Sequence, residues 1–193
     1  MAEGSAVFRF DAVNHEYIDP SSGSVFPHIT GMLQQTGWID DTWYTEESSA
    51  RGRAVHRLTA DYDLGALHVD TCVSRYRPYL LGHVKVMGML TPTWYSIEEP
   101  LVHPVLRFGG RPDRVGLVQN LVAVFEVKSG GRSKAHPIQL ALQAILAELT
   151  TRVPAESIAR YCEYLKPSGR GSVERYDSRS DFAEARRIIK RCT

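Results

Sequence analysis

The sequence is short of cysteine. Cys72, Cys162 and Cys192 are odd in number and far apart. They form neither a zinc spacing nor a disulfide framework, and a reduced, cytoplasmic setting is expected. The opening Met1-Ala2-Glu3-Gly4-Ser5 lacks the basic and apolar regions of a secretory signal. No apolar run approaches the roughly 18 residues of a membrane span, so no membrane partner is expected. Charge excess is missing as well. The net charge of +1 argues against a protein whose main task is to coat nucleic acid, which needs a strong basic surplus. An enzyme with a local basic groove around an acidic site remains compatible with it. Repeats, low-complexity tracts and long linkers are also absent. What is left is ordinary for a globular chain: 193 residues, 43% hydrophobic, read as one domain with a real core.

One stretch concentrates chemistry, Gly109-Gly110-Arg111-Pro112-Asp113 through Glu126-Val127-Lys128. Val115 to Val118 and Leu121 to Val127 read as two strands joined by the tight turn Gln119-Asn120, since Asn tolerates positive φ. A two-residue loop sets Val118 opposite Leu121 and, at the far end, Asp113 opposite Glu126. Opposed side chains on one sheet face lie about 4.5–5.5 Å apart. Two carboxylates there are unfavourable unless a cation separates them. Lys128 is two residues past Glu126 and shares its face. Two carboxylates and an ammonium on a strand pair suit a hard divalent cation with oxygen ligands, held together with a substrate phosphate. The lysine can hold a nucleophilic water or offset phosphate charge. The alternative is an edge hairpin with exposed charges.

The remaining elements follow in order. Residues 6–18 alternate apolar and polar (Val7, Phe8, Phe10, Tyr17, Ile18), predicting a small N-terminal hairpin that ends near Val25-Phe26. Thr30 can cap a short helix to about Thr36, ended by Gly37. Helices are predicted over 45–64 and over 71–89, where Pro78 would kink the second. Trp94 to Val102 reads as a strand and Val105 to Gly109 as its return. The loop Ser129-Gly130-Gly131-Arg132-Ser133-Lys134 is flexible, polar and basic, placed for an incoming phosphate or serving only as a connector. Pro137 opens a helix carrying Ile138, Leu142, Ile145 and Leu149 on one face and Gln139 and Gln143 on another. Ser157 to Leu165 and Val173 to Tyr176 are strands. Asp181 with Glu184 resembles a capping pair for a last helix. That helix ends basic, and Arg152 to Arg191 holds ten basic and six acidic residues. This surplus can meet a nucleic-acid backbone or simply complement the helix dipole.

Pro112-Asp113 followed by Glu126-Val127-Lys128 resembles the PD-(D/E)XK nuclease signature. Arg51-Gly52-Arg53-Ala54-Val55-His56 resembles the Gly-x-x-x-His motif of the RecB-like exonuclease branch. Glu98 stands on the strand before the Asp, and Gln139-Leu140-Ala141-Leu142 resembles the start of the branch's Gln-x-x-x-Tyr motif, with Gln143 in the Tyr position. The opening His15-Glu16-Tyr17 and Pro27-His28-Ile29-Thr30 are similar to phage or prophage members. The resemblance implies an α/β fold with a restriction-endonuclease-like core. That core is a central mixed β-sheet flanked by helices over residues 45–193, preceded by a hairpin and short helix over 1–44. It implies a DNA nuclease, an exonuclease of phage recombination or repair type. A non-catalytic DNA- or partner-binding relative is the alternative. By the resemblance His56, Asp113 and Glu126 ligate Mg²⁺ (Mn²⁺ as substitute, one or two ions), with the Val127 carbonyl as a further ligand. Lys128 supports the attacking water, Glu98 orients the lysine or the water, and Gln139 contacts water or phosphate. Arg51, Arg53, Arg57, Ser129, Arg132, Lys134 and Gln143 are the nucleic-acid candidates, the arginines because guanidinium binds phosphate bidentately. DNA is the expected partner, with a homo-oligomer or a phage recombination protein as further assemblies.

Overall fold

A computed structural model describes residues 8–40, 42 and 45–193. Val7, counted in the N-terminal alternation, lies outside them. Strands β1 (Arg9–Asp11), β2 (Glu16–Ile18) and β3 (Val25–Phe26) form an antiparallel meander, one strand more than a hairpin. Tyr17 and Phe26 pack with Val102 in a small core of their own. Helix α1 (Ile29–Gln35) starts two residues earlier than a Thr30 cap would allow: His28 is the cap, its Nδ1 accepting the Gly31 N–H at 3.3 Å. Gly37 follows with φ 77°, a conformation glycine adopts without strain.

Helix α2 (Glu46–Asp63) begins as expected. Thr45 and Ser48 form a reciprocal capping box, and Glu46 and Glu47 sit at the positive end of the dipole. Helix α3 (Arg77–Leu90) is shorter than its stripe suggested. The residues before it form a single 3₁₀ turn, Val69–Thr71, and Val73 is fully exposed. Pro78 therefore lies in the first turn, where its missing N–H has no partner to lose, and it does not kink the helix.

The expected strand 94–102 is broken in two. Strand β4 (Thr93–Ile97) joins the central sheet, while β5 (Leu101–His103) pairs with β6 (Phe108–Gly110) in a separate ladder. Glu98 makes the break, with φ 55°. Val105 falls in the β5–β6 turn and is exposed. Gly109 lets β6 pass under Tyr17, whose ring would lie 2.6 Å from an added Cβ.

Strands β7 (Arg114–Val118) and β8 (Leu121–Lys128) pair in the predicted register, Val118 opposite Leu121 and Arg114 opposite Phe125. Gln119 and Asn120 have φ 51° and 65°, the two positive values of a type I′ turn. Helix α4 (His136–Thr151) then crosses to β9 (Ala159–Leu165), which runs parallel to β8; β10 (Gly171–Arg175) closes that edge and α5 (Ser180–Cys192) follows. The sheet order β10-β9-β8-β7-β4 is mixed. Asp181 and Glu184 do not cap α5. Buried Arg160 of β9 takes Asp181 as its counter-ion at 2.8 Å, and Glu184 accepts the Trp38 indole N–H at 3.0 Å.

Alternation along the strands gives each face its own core. Val115, Val124, Cys162 and Tyr164 meet α1, α4 and α5. Ala123, Phe125, Val127 and Tyr161 meet Val55 of α2 and Tyr79, Val86 and Met87 of α3. Each large side chain buried this way contributes about 1.5–3 kcal/mol. The second face also buries a charged network. Arg114 donates to Asp63 at 2.6 Å and to the Asp113 carbonyl at 2.7 Å; His83 bridges Asp63 at 3.0 Å and Glu163 at 2.7 Å. Burial alone would lower the His83 pKa, but the charges of Glu163 and Asp63 outweigh it and push it up to about 9. Two cations thereby balance two anions, and the guanidinium fixes the backbone beside Asp113.

Candidate metal centre and cleft

The mouth of the β7–β8 hairpin faces α2 and the start of α4, and the charged residues gather there. His56 lies one turn after Gly52 on α2. Its Nδ1 is 3.2 Å from Asp113 Oδ1 and 3.5 Å from Glu98 Oε1. These three donors lie within 4.8 Å of one another, the described residues' one grouping that could hold a metal ion. The second Asp113 oxygen accepts the Val127 N–H at 2.7 Å. The left-handed turn at Glu98 sends its N–H to the Asp113 carbonyl at 3.0 Å, and its Oε2 takes Arg111 at 2.6 Å.

Glu126 and Lys128 share a strand face, as alternation requires, and form an ion pair at 2.6 Å. Gln139 and Gln143 are four apart on α4, so both reach the same carboxylate. Gln139 Nε2 donates to Oε1 at 2.7 Å and Gln143 Nε2 to Oε2 at 2.6 Å. Both Glu126 oxygens are thus engaged. Glu98, expected beside the ligands, supplies a converging donor, while Glu126, expected among them, is held by three donors. Val127 contributes its N–H to Asp113 and its side chain to the core.

Charge in the cluster is finely divided. Burial and the Glu126 charge push Asp113 up. Glu126 is buried too, yet Lys128, His56 and the Gln143 amide hold it low. Burial would lower Lys128, but Glu126 and Asp113 push it above its usual value, so it stays an ammonium. Burial would likewise lower His56; the facing Asp113 and Glu98 instead push it up to about 10. A proton on His56 therefore separates the two carboxylates. A divalent cation bound by the same nitrogen and two oxygens would do so more strongly, and the donor set fits one.

A cleft of about 480 Å³ opens beside this cluster, lined by Arg51, His56, Lys128, Arg132, His136 and Gln139, with the Ser129-Gly130-Gly131 loop at its rim. Other nucleic-acid candidates lie elsewhere. Arg53 and Arg57 are exposed outside the cleft lining, and Arg57 pairs with Asp61 at 3.7 Å. Arg132 pairs with Glu174 at 2.6 Å and lies over the Tyr164 ring. Lys134 lies over Trp38. Gln143 is only 2% exposed and turned to Glu126, so the structure corrects its placement at a strand-binding surface. Two features went unread in the sequence: the Arg111–Glu98 pair and His136. The signal for His136 was its position directly between the basic loop and Pro137, at a helix start.

No protein-family model matches the chain, and no curated protein matches it. Among solved structures it is similar to a crystal structure of a "putative exonuclease" from Eubacterium rectale, at 8% identity and a TM-score of 0.45, over 83% of this chain and 69% of that one. Among the described residues no helix is long and apolar enough to cross a membrane.

Proposed function

We propose that the chain is a divalent-metal-dependent DNA nuclease of the PD-(D/E)XK type, with an exonuclease of the RecB-like phage or prophage branch as its specific form. One observation carries the reading: His56, Glu98 and Asp113 converge within 4.8 Å beside a cleft that Lys128 also lines. His56, Glu98 and Asp113 would hold Mg²⁺, or Mn²⁺, which the nitrogen ligand suits. Such an ion, when bound, lowers the pKa of a water and offsets charge on the scissile phosphate.

The chain's own groups then divide the work. Lys128 remains protonated, so it acts as a hydrogen-bond donor to the attacking water or to a phosphate oxygen, not as a base. Glu126 fixes the ammonium in place at 2.6 Å. Gln143 helps keep Glu126 ionised, and Gln139 and Gln143 together orient it. Arg51 and the Ser129–Lys134 loop neutralise flanking phosphates.

The test is cleavage of linear double-stranded, linear single-stranded and circular single-stranded DNA, with Mg²⁺ or Mn²⁺ and with chelator. Metal-dependent loss of the linear substrates alone supports the exonuclease. A cut circle makes the protein an endonuclease. DNA binding without cleavage of any substrate sinks the nuclease reading in favour of a binding module.

A further inference from the structure

The catalytic proposal leaves His136 unused, although it lines the same cleft. We propose that His136 is a phosphate-binding residue, its Nε2–H donating to a nonbridging oxygen of a DNA phosphate that flanks the scissile one. The inference rests on the nuclease reading and adds a contact to that site.

The tautomer follows from the neighbours. The Ser133 backbone N–H, which can only donate, points to His136 Nδ1 at 3.3 Å. The Tyr164 hydroxyl lies 2.8 Å from the same nitrogen and the Tyr176 hydroxyl 2.8 Å from that of Tyr164. Nδ1 is therefore an acceptor, Tyr164 donates to it, and Tyr176 donates to Tyr164. The ring proton must then reside on Nε2. Among the described residues no protein group bonds Nε2. The residue is 9% exposed and borders the cleft. Burial and the nearby Lys128 charge push the imidazole down to about 4, so it is neutral wherever the protein is folded near neutral pH.

The result is a donor locked in orientation from behind and open in front. It is uncharged, so it adds no repulsion to the crowded ammonium of Lys128. It is also the first residue of a 16-residue helix, whose positive end favours an anion at that point. It lines the same cleft as His56 without being one of the converging donors, so the proposed contact is to a flanking phosphate and not to the cleaved one.

The experiment is equilibrium binding of a fluorescent DNA oligonucleotide in Ca²⁺, across a salt series, with melting curves as a folding control. His136→Ala should weaken binding about tenfold or more, the loss of one hydrogen bond to a charged group. His136→Gln, which restores an amide donor at similar reach, should recover most of that loss. Tyr164→Phe, which releases the ring, should lose part of it. The slope of log affinity against log salt should not change, because a neutral donor displaces no counter-ion; a charged contact would reduce it by about 0.9. Unchanged affinity in His136→Ala, a reduced slope, or no recovery in a well-folded His136→Gln overturns the inference. Cleavage by wild type with Mn²⁺ separates the two readings. Cleavage with unchanged His136→Ala affinity sinks the phosphate contact alone. His136-dependent binding without cleavage sinks the nuclease reading alone. No DNA binding by wild type sinks both.

Discussion

Asp113 does two jobs with its two oxygens, and two substitutions separate them. One oxygen faces His56 at 3.2 Å; the other accepts the Val127 N–H at 2.7 Å, in a residue only 5% exposed. Asp113→Asn keeps an acceptor for that N–H. It loses the pairing with His56 but also removes a carboxylate that burial and Glu126 disfavour. The metal-free variant should therefore melt within about 1 kcal/mol of wild type. Asp113→Ala leaves the Val127 N–H buried and unpaired, at a cost of about 1–3 kcal/mol. At about 2–4 °C per kcal/mol for a chain of this size, that is a drop of about 2–12 °C. Addition of Mn²⁺ at about a hundred times its Kd should stabilise wild type by about 2.7 kcal/mol and neither variant. Scanning calorimetry with and without Mn²⁺ reads all three numbers. Full Mn²⁺ stabilisation of Asp113→Asn would remove Asp113 from the site. Equal melting of the two variants would show that the Val127 bond contributes nothing.

Three further outcomes follow from the same geometry. His83 is raised from 6.5 to about 9, so the stability it gives is complete below pH 6.5 and is lost as pH rises toward 9. The loss should be on the order of 3 kcal/mol. Melting against pH should show it in wild type and not in His83→Gln, and parallel curves refute the network's charge assignment. Gln143→Leu removes a donor that holds Glu126 ionised. Cleavage should fall about tenfold and its acid limb should move to higher pH; an unmoved limb means the amide is only packing. Gly116→Ala puts a Cβ 2.2 Å from the Thr93 carbonyl oxygen. Prying β4 from β7 should cost about 1–3 kcal/mol and weaken Mn²⁺ binding through the displaced Glu98, measurable by titration calorimetry.

What could be read in advance was local. The Gln119-Asn120 turn fixed the β7–β8 register because one dipeptide carried both positive φ values, and that register ends at Arg114 opposite Phe125, one residue short of Asp113 and Glu126. Helix α2 was legible because its cap and acidic first turn are contiguous in sequence. The breaks were harder. Nothing in Trp94 to Val102 announced that Glu98 would take a left-handed conformation, since a glutamate pays a steric penalty there that only its tertiary contacts offset. The apolar spacing from Val73 continued past the true start of α3 by accident. Long-range pairing was invisible: His83 meets Glu163 across 80 positions, and Arg160 takes Asp181 away from its apparent capping role. The different surroundings of Glu98 and Glu126 have the same origin. Motif order named both carboxylates, but only the crossing of α4 over β8 decides which one Gln139 and Gln143 occupy.

The most direct test of the central claim is single-turnover cleavage of linear DNA in Mn²⁺ by wild type and Lys128→Ala. Lys128 lies outside the converging donors, so the variant should still be stabilised by Mn²⁺ and still bind DNA. Its rate should fall by about a hundredfold or more, the usual effect of removing one charge-stabilising donor. A variant that binds metal and DNA and cleaves at the wild-type rate would contradict the assignment of this cleft as a nuclease site.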